Sequence, residues 1–278
     1  MSVSATQAPT AVGSDPLGAR TLRWLRKRER ILLGVLGIIS VLGFWEFAVV
    51  SEWIRTSTMS SPTIIFDRIV VEMGGDRLIP SLWVTLRAYL IGLALATVVG
   101  IPLGFLGGWS KRASYVLEPW LAGLNATPTV ALVPLILIWL GIGQTSKVFI
   151  VFLFALFPYA FNTMIGVRQS EAEFLGMARS FGASQPKVIT SIVLPGAVPY
   201  MMTAARLAVG RALIGVVVAE LVASNTGLGF LISIASGTFD TPLLMVSVLF
   251  VGVFGLIMTE VMKAIERQFD KWRPEPTS

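Results

Sequence analysis

The side chains most used to make and break bonds are missing from this sequence. It has no cysteine and no histidine, which removes thiol nucleophiles, imidazole bases, disulfides and the commonest zinc ligands together. No Gly-x-x-x-x-Gly-Lys-Ser/Thr phosphate loop occurs, the Gly227-Leu228-Gly229 run is not a full dinucleotide fingerprint, and no paired carboxylates lie in a polar domain. The chain is therefore not expected to be an enzyme or to hydrolyse ATP by itself. What remains is polar chemistry set inside apolar runs: Arg206, Arg211 and Glu220, with Asn125, Thr127, Thr129 and Asn162. Charged groups at membrane depth are costly and usually face a cavity or a partner, so each is a candidate for lining a solute pathway. Structural readings stand beside this one. Arg206 can snorkel to a surface, Glu220 can be hydrated or ion-paired at a helix end, and the amides and hydroxyls can bond between helices.

The elements that must carry these residues are long apolar runs. Of 278 residues, 54% are hydrophobic and 14% charged, against about a quarter charged in an ordinary soluble domain. Six stretches have the length a bilayer demands of a helix, roughly 17 to 25 residues: about 31–50, 86–108, 121–141, 148–166, 203–222 and 243–262. The polar Gly143-Gln144-Thr145-Ser146-Lys147 reads as a tight turn between the third and fourth. Gly100, Gly104 and Gly108 recur every fourth residue, which places them on one helix face and admits a second backbone close by. Pro102, Pro128, Pro134 and Pro158 each remove a backbone donor in or near a span, so bent or discontinuous helices are expected.

The net charge of +6 is read by position. Residues 1–19 contain no Lys or Arg and are rich in Ala, Ser, Thr, Pro and Gly, so they read as a disordered tail rather than a signal peptide. A basic cytoplasmic segment, 20–30, follows with Arg20, Arg23, Arg26, Lys27, Arg28 and Arg30. With the N-terminus inside, the cytoplasmic segments hold 15 Lys and Arg residues and the external ones 4, namely Arg55, Arg68, Arg77 and Lys147. Because cytoplasmic loops retain Lys and Arg, both termini are predicted to be cytoplasmic. Nucleic acid is excluded as the reason for the basic balance.

The connection 168–199 is the most informative polar stretch. Phe174, Leu175, Ala178 and Phe181 share one helix face, and Gly182 supplies a stop, since glycine takes the left-handed conformation that a helix end needs. Ser184 is placed to cap a second short helix with Pro186 in its first turn. That helix is expected to end at Leu194, before Pro195.

Nine residues separate Gly182 from Ile192-Val193-Leu194-Pro195, and Ala178 stands four before it. This spacing resembles the EAA signature of bacterial ABC importer permeases, Glu-Ala-Ala, three residues, Gly, nine residues, Ile-x-Leu-Pro. The front departs from it: Gly176 and Met177 replace Glu and the first Ala, with Glu173 one turn upstream. The stretch Leu132–Gly143, Arg206-Leu207-Ala208-Val209-Gly210, and Val218-Ala219-Glu220-Leu221 with Gly227-Leu228-Gly229 are similar to the branch serving nitrate, sulfonates and taurine. The resemblance covers roughly residues 60–265.

That resemblance implies an all-α integral membrane protein of six transmembrane helices with the type I ABC importer permease fold, occupying 31–266 and followed by a cytoplasmic tail, 267–278. It implies a bacterial inner-membrane location and a pathway for a small anionic solute such as a sulfonate, nitrate, taurine or a carboxylate. The coupling loop would contact the ATPase through Glu173, Gly176, Ala178, Gly182, Ala183, Ile192, Leu194 and Pro195. The implied partners are a second permease copy, two ABC ATPase subunits and an extracytoplasmic solute-binding protein, with ATP and magnesium held by the ATPase and no cofactor by this chain. The alternative reading is a secondary transporter driven by an ion gradient, which predicts inverted repeats that the sequence does not display.

Overall fold

A computed structural model describes residues 16–55, 58–169, 176–178 and 180–269. Among these residues there are helices and connections and no strand. The chain divides into two units, Met1–Thr63 and Ile64–Ser278.

In the first unit, α1 spans Pro16–Val50. It begins inside the stretch 1–19 expected to be a disordered tail and runs through the basic segment without a break. Proline suits the first turn of a helix, whose N–H groups have no internal partner, and the Leu, Ala, Arg and Lys residues after it favour helix. At its other end Glu46 accepts hydrogen bonds from the Thr63 hydroxyl at 2.7 Å and the Thr63 amide at 3.1 Å. Those bonds pin the connection that leads into α2 (Pro62–Met73).

The second unit holds the remaining elements: α3 (Leu78–Trp109), α4 (Lys111–Ala126), a 3-10 turn (Thr129–Leu132), α5 (Val133–Leu140), α6 (Gln144–Arg168), α7 (Gln185–Val188), a π-helical turn (Ile189–Val193), α8 (Leu194–Ala223), α9 (Leu228–Gly237) and α10 (Thr241–Phe269). Among the described residues four helices are long and apolar enough to cross a membrane: the Ile31–Val50 part of α1, and α3, α6 and α10. The pair Lys111–Ala126 and Thr129–Leu140, bent by 90°, is a fifth if it counts as one span. The expected span 203–222 lies within α8, whose 30 residues suffice in length but include Arg206, Arg211 and Glu220. Its packing along α6, with further core contacts to α3, rather than its apolarity, puts it in the same bundle.

Proline acts unevenly. Pro102 and Pro158 sit inside unbroken helices, whereas Pro128 stands at the 90° break and Pro134 in the first turn of α5. Pro195 does not end a helix as expected. The chain runs from α7 through the π turn into α8, and the Leu194 amide bonds the Ile189 carbonyl in place of the usual partner one residue nearer. That wider turn precedes the proline, where a tight α turn would press the ring against the carbonyl four residues back.

The bundle is centred on α3, α6 and α8. A stripe of small residues on α3, Gly92, Ala96, Gly100, Gly104 and Gly108, faces α6. A Cβ on Gly104 would lie 2.3 Å from the Ala160 carbonyl oxygen, and on Gly100 or Gly108 2.6 Å from the Cβ of Tyr159 or Val167. The glycine spacing is thus a packing device that brings two backbones together. On the other side Ala204, Ala205, Ala208 and Ala212 of α8 pack with Tyr89 and Phe254, whose rings meet edge-on at 5.2 Å. The Tyr89 hydroxyl donates to the Val209 carbonyl at 3.2 Å, so this bulky residue is buried without an unmet polar atom.

Candidate functional site

Three places gather the residues singled out in the sequence. The first is the loop at one end of the bundle. Residues 176–178 and 180 are helical, and Gly182 has φ +71°. The Ala183 amide reaches back to the Ala178 carbonyl at 2.9 Å. A left-handed glycine spanned by a six-to-one bond is the Schellman helix stop. Ala178 and Ala183, on the two sides of this stop, both pack against the cluster of Val167, Val188, Val193, Ala197 and Met201, as do Phe105 and Trp109 of α3. The loop is therefore fastened to the ends of α3, α6 and α8 at once.

Ser184 takes the extended conformation of a capping residue, yet its side chain makes no cap bond; Pro186 occupies the first turn as expected. Ile192 is half-buried, Pro195 likewise, and Leu194 is exposed. Outward stand Phe181, 88% exposed, and Met177. Nothing lies within 4 Å of where a Gly176 Cβ would be, so the glutamate of the signature would fit there, and its absence is not a demand of packing. Glu173, Phe174 and Leu175 lie outside the described residues.

The second place was not visible in the sequence. Glu220 is wholly buried, and so is Lys147 at 2% exposure, although Lys147 was expected in an external turn. The turn is shorter than expected: α6 begins at Gln144 and carries Lys147 into the protein. Its Nζ lies 3.5 Å from Glu220 Oε1 and donates to the Thr226 carbonyl at 2.6 Å. The Thr85 hydroxyl lies 2.9 and 2.8 Å from the two Glu220 carboxylate oxygens, and itself accepts from the Leu228 amide at 3.0 Å. The Gly229 amide donates to Glu220 Oε2 at 3.0 Å.

One carboxylate thus meets the Gly229 amide in the first turn of α9, where anions are favoured, and joins α3, α6, α8 and α9. Gly227, at φ +114°, and Gly229 leave room for it: a Cβ there would sit 2.1 Å from Glu220 Oε1 and 2.7 Å from Glu220 Cβ respectively. The Val218-Ala219-Glu220-Leu221 and Gly227-Leu228-Gly229 stretches are two halves of one structure. Enclosed on all sides, Glu220 cannot line a pathway, and neither the pathway nor the surface-hydration expectation holds for it.

The third place is an open depression of about 190 Å³ shared by Asn125, Asn162 and Arg211, with apolar walls from Phe157, Phe161 and Leu207. Three of the pathway candidates, distant in sequence, meet there. The others do not. Arg206 forms an ion pair with Glu266 near the end of α10. The Thr127 hydroxyl bonds the Gly123 carbonyl at 3.0 Å, and Thr129 opens the 3-10 turn. No cluster of three or more acidic side chains suited to a metal occurs among the described residues.

Known proteins resemble this chain in sequence and in fold. The model of the family described as binding-protein-dependent transport system inner membrane component matches residues 100–273. A probable ABC transporter permease protein of Brucella abortus (strain 2308) is 30% identical over 215 residues, 77% of this chain and 86% of that protein. The taurine transport system permease protein TauC of Escherichia coli (strain K12) is 27% identical over 270 residues, 94% of this chain and 98% of that protein. In fold, the chain superposes on a chain of the MetNI methionine ABC transporter in an inward-facing conformation with a TM-score of 0.60 and 15% identity, covering 69% of this chain and 95% of that one. With half the chain and more matched by the family model, and with the helix-stop loop and the bundle in place, this chain belongs to the binding-protein-dependent transport system inner membrane components, the multi-pass permeases of ABC importers.

Proposed function

We propose that this permease carries a small organic anion of the sulfonate class across the inner membrane, driven by a separate ATPase that grips the loop around Gly182. The observation that carries the coupling reading is the loop itself. It is a short helical lever, stopped by a left-handed glycine, packed on three bundle helices and presenting Phe181 outward. Force applied to such a loop reaches α3, α6 and α8 together, because packed interfaces transmit displacement rather than absorb it. The cargo class rests on the likeness to the taurine permease. The excess of Lys and Arg in alternate connections supports an orientation with both termini in the cytoplasm, which puts this loop on the ATPase side. One chain offers one such loop, so a two-ATPase engine calls for two permease copies, read here as a homodimer. ATP and magnesium then belong to the ATPase, and an extracytoplasmic binding protein delivers the solute to the opposite face.

The test is uptake of radiolabelled taurine by proteoliposomes holding the permease, its ATPase and its binding protein. Uptake that requires internal ATP and ignores an imposed ion gradient is the expected result. Uptake driven by the gradient without ATPase would replace this reading by the secondary-transporter one.

Two substitutions test the lever. Gly182→Val forces a β-branched residue into a left-handed conformation at a cost of about 1–3 kcal/mol, and should abolish copurification of the ATPase while the chain still inserts into the membrane. Phe181→Asp removes only an exposed apolar contact. It should leave the melting temperature of the permease unchanged and lower ATPase retention at least about tenfold, equivalent to about 1.4 kcal/mol. Retention equal to wild type in both variants would show that the loop is not the coupling element.

A further inference from the structure

Arg211 lies inside the expected span 203–222 of α8, eight residues and about 12 Å from its nearer end at 1.5 Å per residue, whereas Arg206 stands only three residues in. An arginine that deep cannot bring its head to either surface by extending its side chain, as Arg206 can. Arg206 also has a carboxylate in Glu266. Arg211 has no hydrogen-bond or ion-pair partner among the described residues, and no acidic side chain lines the depression it shares with Asn125 and Asn162. A guanidinium held at such depth without a counter-charge needs water or an anion beside it.

The surroundings narrow the choice. Asn162 is held by its Nδ2, which donates to the Pro158 carbonyl at 2.9 Å, so its carbonyl oxygen and second amide proton remain for a ligand. Asn125 sits at the end of α4, one residue before the helix gives way to the 90° break. Discontinuous helices at mid-membrane expose polar backbone only where they are buried in protein or line a water-filled cavity. Phe157, Phe161 and Leu207 give the depression apolar lining, and the volume of about 190 Å³ lies below the range of roughly 300–1,000 Å³ of sites for drug-sized ligands.

We infer that Arg211, Asn125 and Asn162 form an intramembrane station for the anionic head of a small organic anion, with the short apolar body against Phe157, Phe161 and Leu207. This rests on the anion-importer reading, and it adds a place in the permease where charge is recognised after the binding protein has let go. The single guanidinium gives selectivity by sign. The open mouth leaves the solute free to move on.

The absence of native cysteine allows a direct test in the full chain, assembled with its ATPase in proteoliposomes. Asn125→Cys and Asn162→Cys are reacted with anionic sulfonatoethyl methanethiosulfonate and with cationic aminoethyl methanethiosulfonate, each rate being normalised to that of a free thiol. The expected preference for the anionic reagent is at least about tenfold, since a unit charge a few ångströms away acts strongly at an effective dielectric constant near 20. Adding Arg211→Gln should bring the ratio to about one, and ethanesulfonate should slow the anionic labelling only while Arg211 is present. Leu207→Cys provides a third position if either asparagine variant fails to elute like the wild type.

No labelling by either reagent would mean the depression is closed to water and would overturn the inference. So would equal normalised rates, or a preference that survives Arg211→Gln. Labelling needs neither ATP nor binding protein. A failure of ATP-driven taurine uptake in the wild type with the labelling pattern intact would therefore sink the sulfonate-class cargo alone, and a failed labelling pattern with intact uptake would sink only the station.

Discussion

Replacing Glu220 by glutamine is expected to destabilise the permease by about 3–5 kcal/mol, the range for removing one partner of a buried ion pair. The shape of the side chain is kept, so its contacts with Gly227 and Gly229 survive. What is lost is the charge that faces Lys147 Nζ at 3.5 Å, and Lys147, 2% exposed, has no route to water. The purified protein should unfold on the order of 10 °C lower, by the slope for chains of this size. Adding Lys147→Met to Glu220→Gln should restore most of the loss, because the orphaned charge goes with it. The glutamine can still accept from the Gly229 amide and bond the Thr85 hydroxyl. A double variant no more stable than Glu220→Gln alone would show that the pair is not coupled. Glu220→Ala should be worse than Glu220→Gln, since it also abandons the Thr85 hydroxyl and the Gly229 amide.

Gly104→Val is the second large effect expected. Its Cβ would meet the Ala160 carbonyl oxygen at 2.3 Å, and backbone cannot step aside as a flexible side chain can. The helices α3 and α6 must separate along a seam that Gly92, Ala96, Gly100 and Gly108 also close. Overpacking costs about 1–3 kcal/mol and occasionally more, and a clash with backbone at the centre of the longest interface belongs at the upper end. The variant should lose its monodisperse peak in size-exclusion chromatography after mild heating. Gly43→Val, where nothing lies within 4 Å of the added atom, should behave like wild type. Equal loss in both would show that close approach of α3 and α6 is not the cause, since valine exceeds glycine in helix propensity.

Some of this architecture was legible because the bilayer simplifies the problem. A backbone in hydrocarbon must bond within itself, so apolar length translates into helix, and the stretches 31–50, 86–108, 148–166 and 243–262 all fall within long apolar helices. The four-residue glycine spacing was legible for the same reason, since period alone fixes which face of a helix a residue occupies. Gly182 was legible because few other residues tolerate φ +71° at a helix end. The ends of elements were less so. Pro195 looked like a terminator because a proline normally breaks the bond pattern, and only the π turn before it shows how the helix accommodates the ring. The helix through 16–19 was hidden by a tail-like composition.

The polar residues divide along the same line. Their identity and depth followed from the sequence: charge inside apolar runs, cysteine and histidine absent, a loop with the spacing of an ABC permease signature. Their pairing did not, because hydrogen bonds and ion pairs depend on which helix faces meet, and residues 73 positions apart, such as Lys147 and Glu220, carry no mark of one another. Tertiary packing turned Glu220 from a pathway candidate into a buried tie, gave Arg206 its carboxylate, and left Arg211 with two asparagines around an open depression. The sequence by itself determined that this chain is a membrane permease, through its long apolar runs and a loop with the spacing of an ABC permease signature. Which of its intramembrane charges are tied into the fold and which have no counter-charge beside them was decided by the way three helices come together, since burial and distance alone separate a neutralised charge from an unneutralised one.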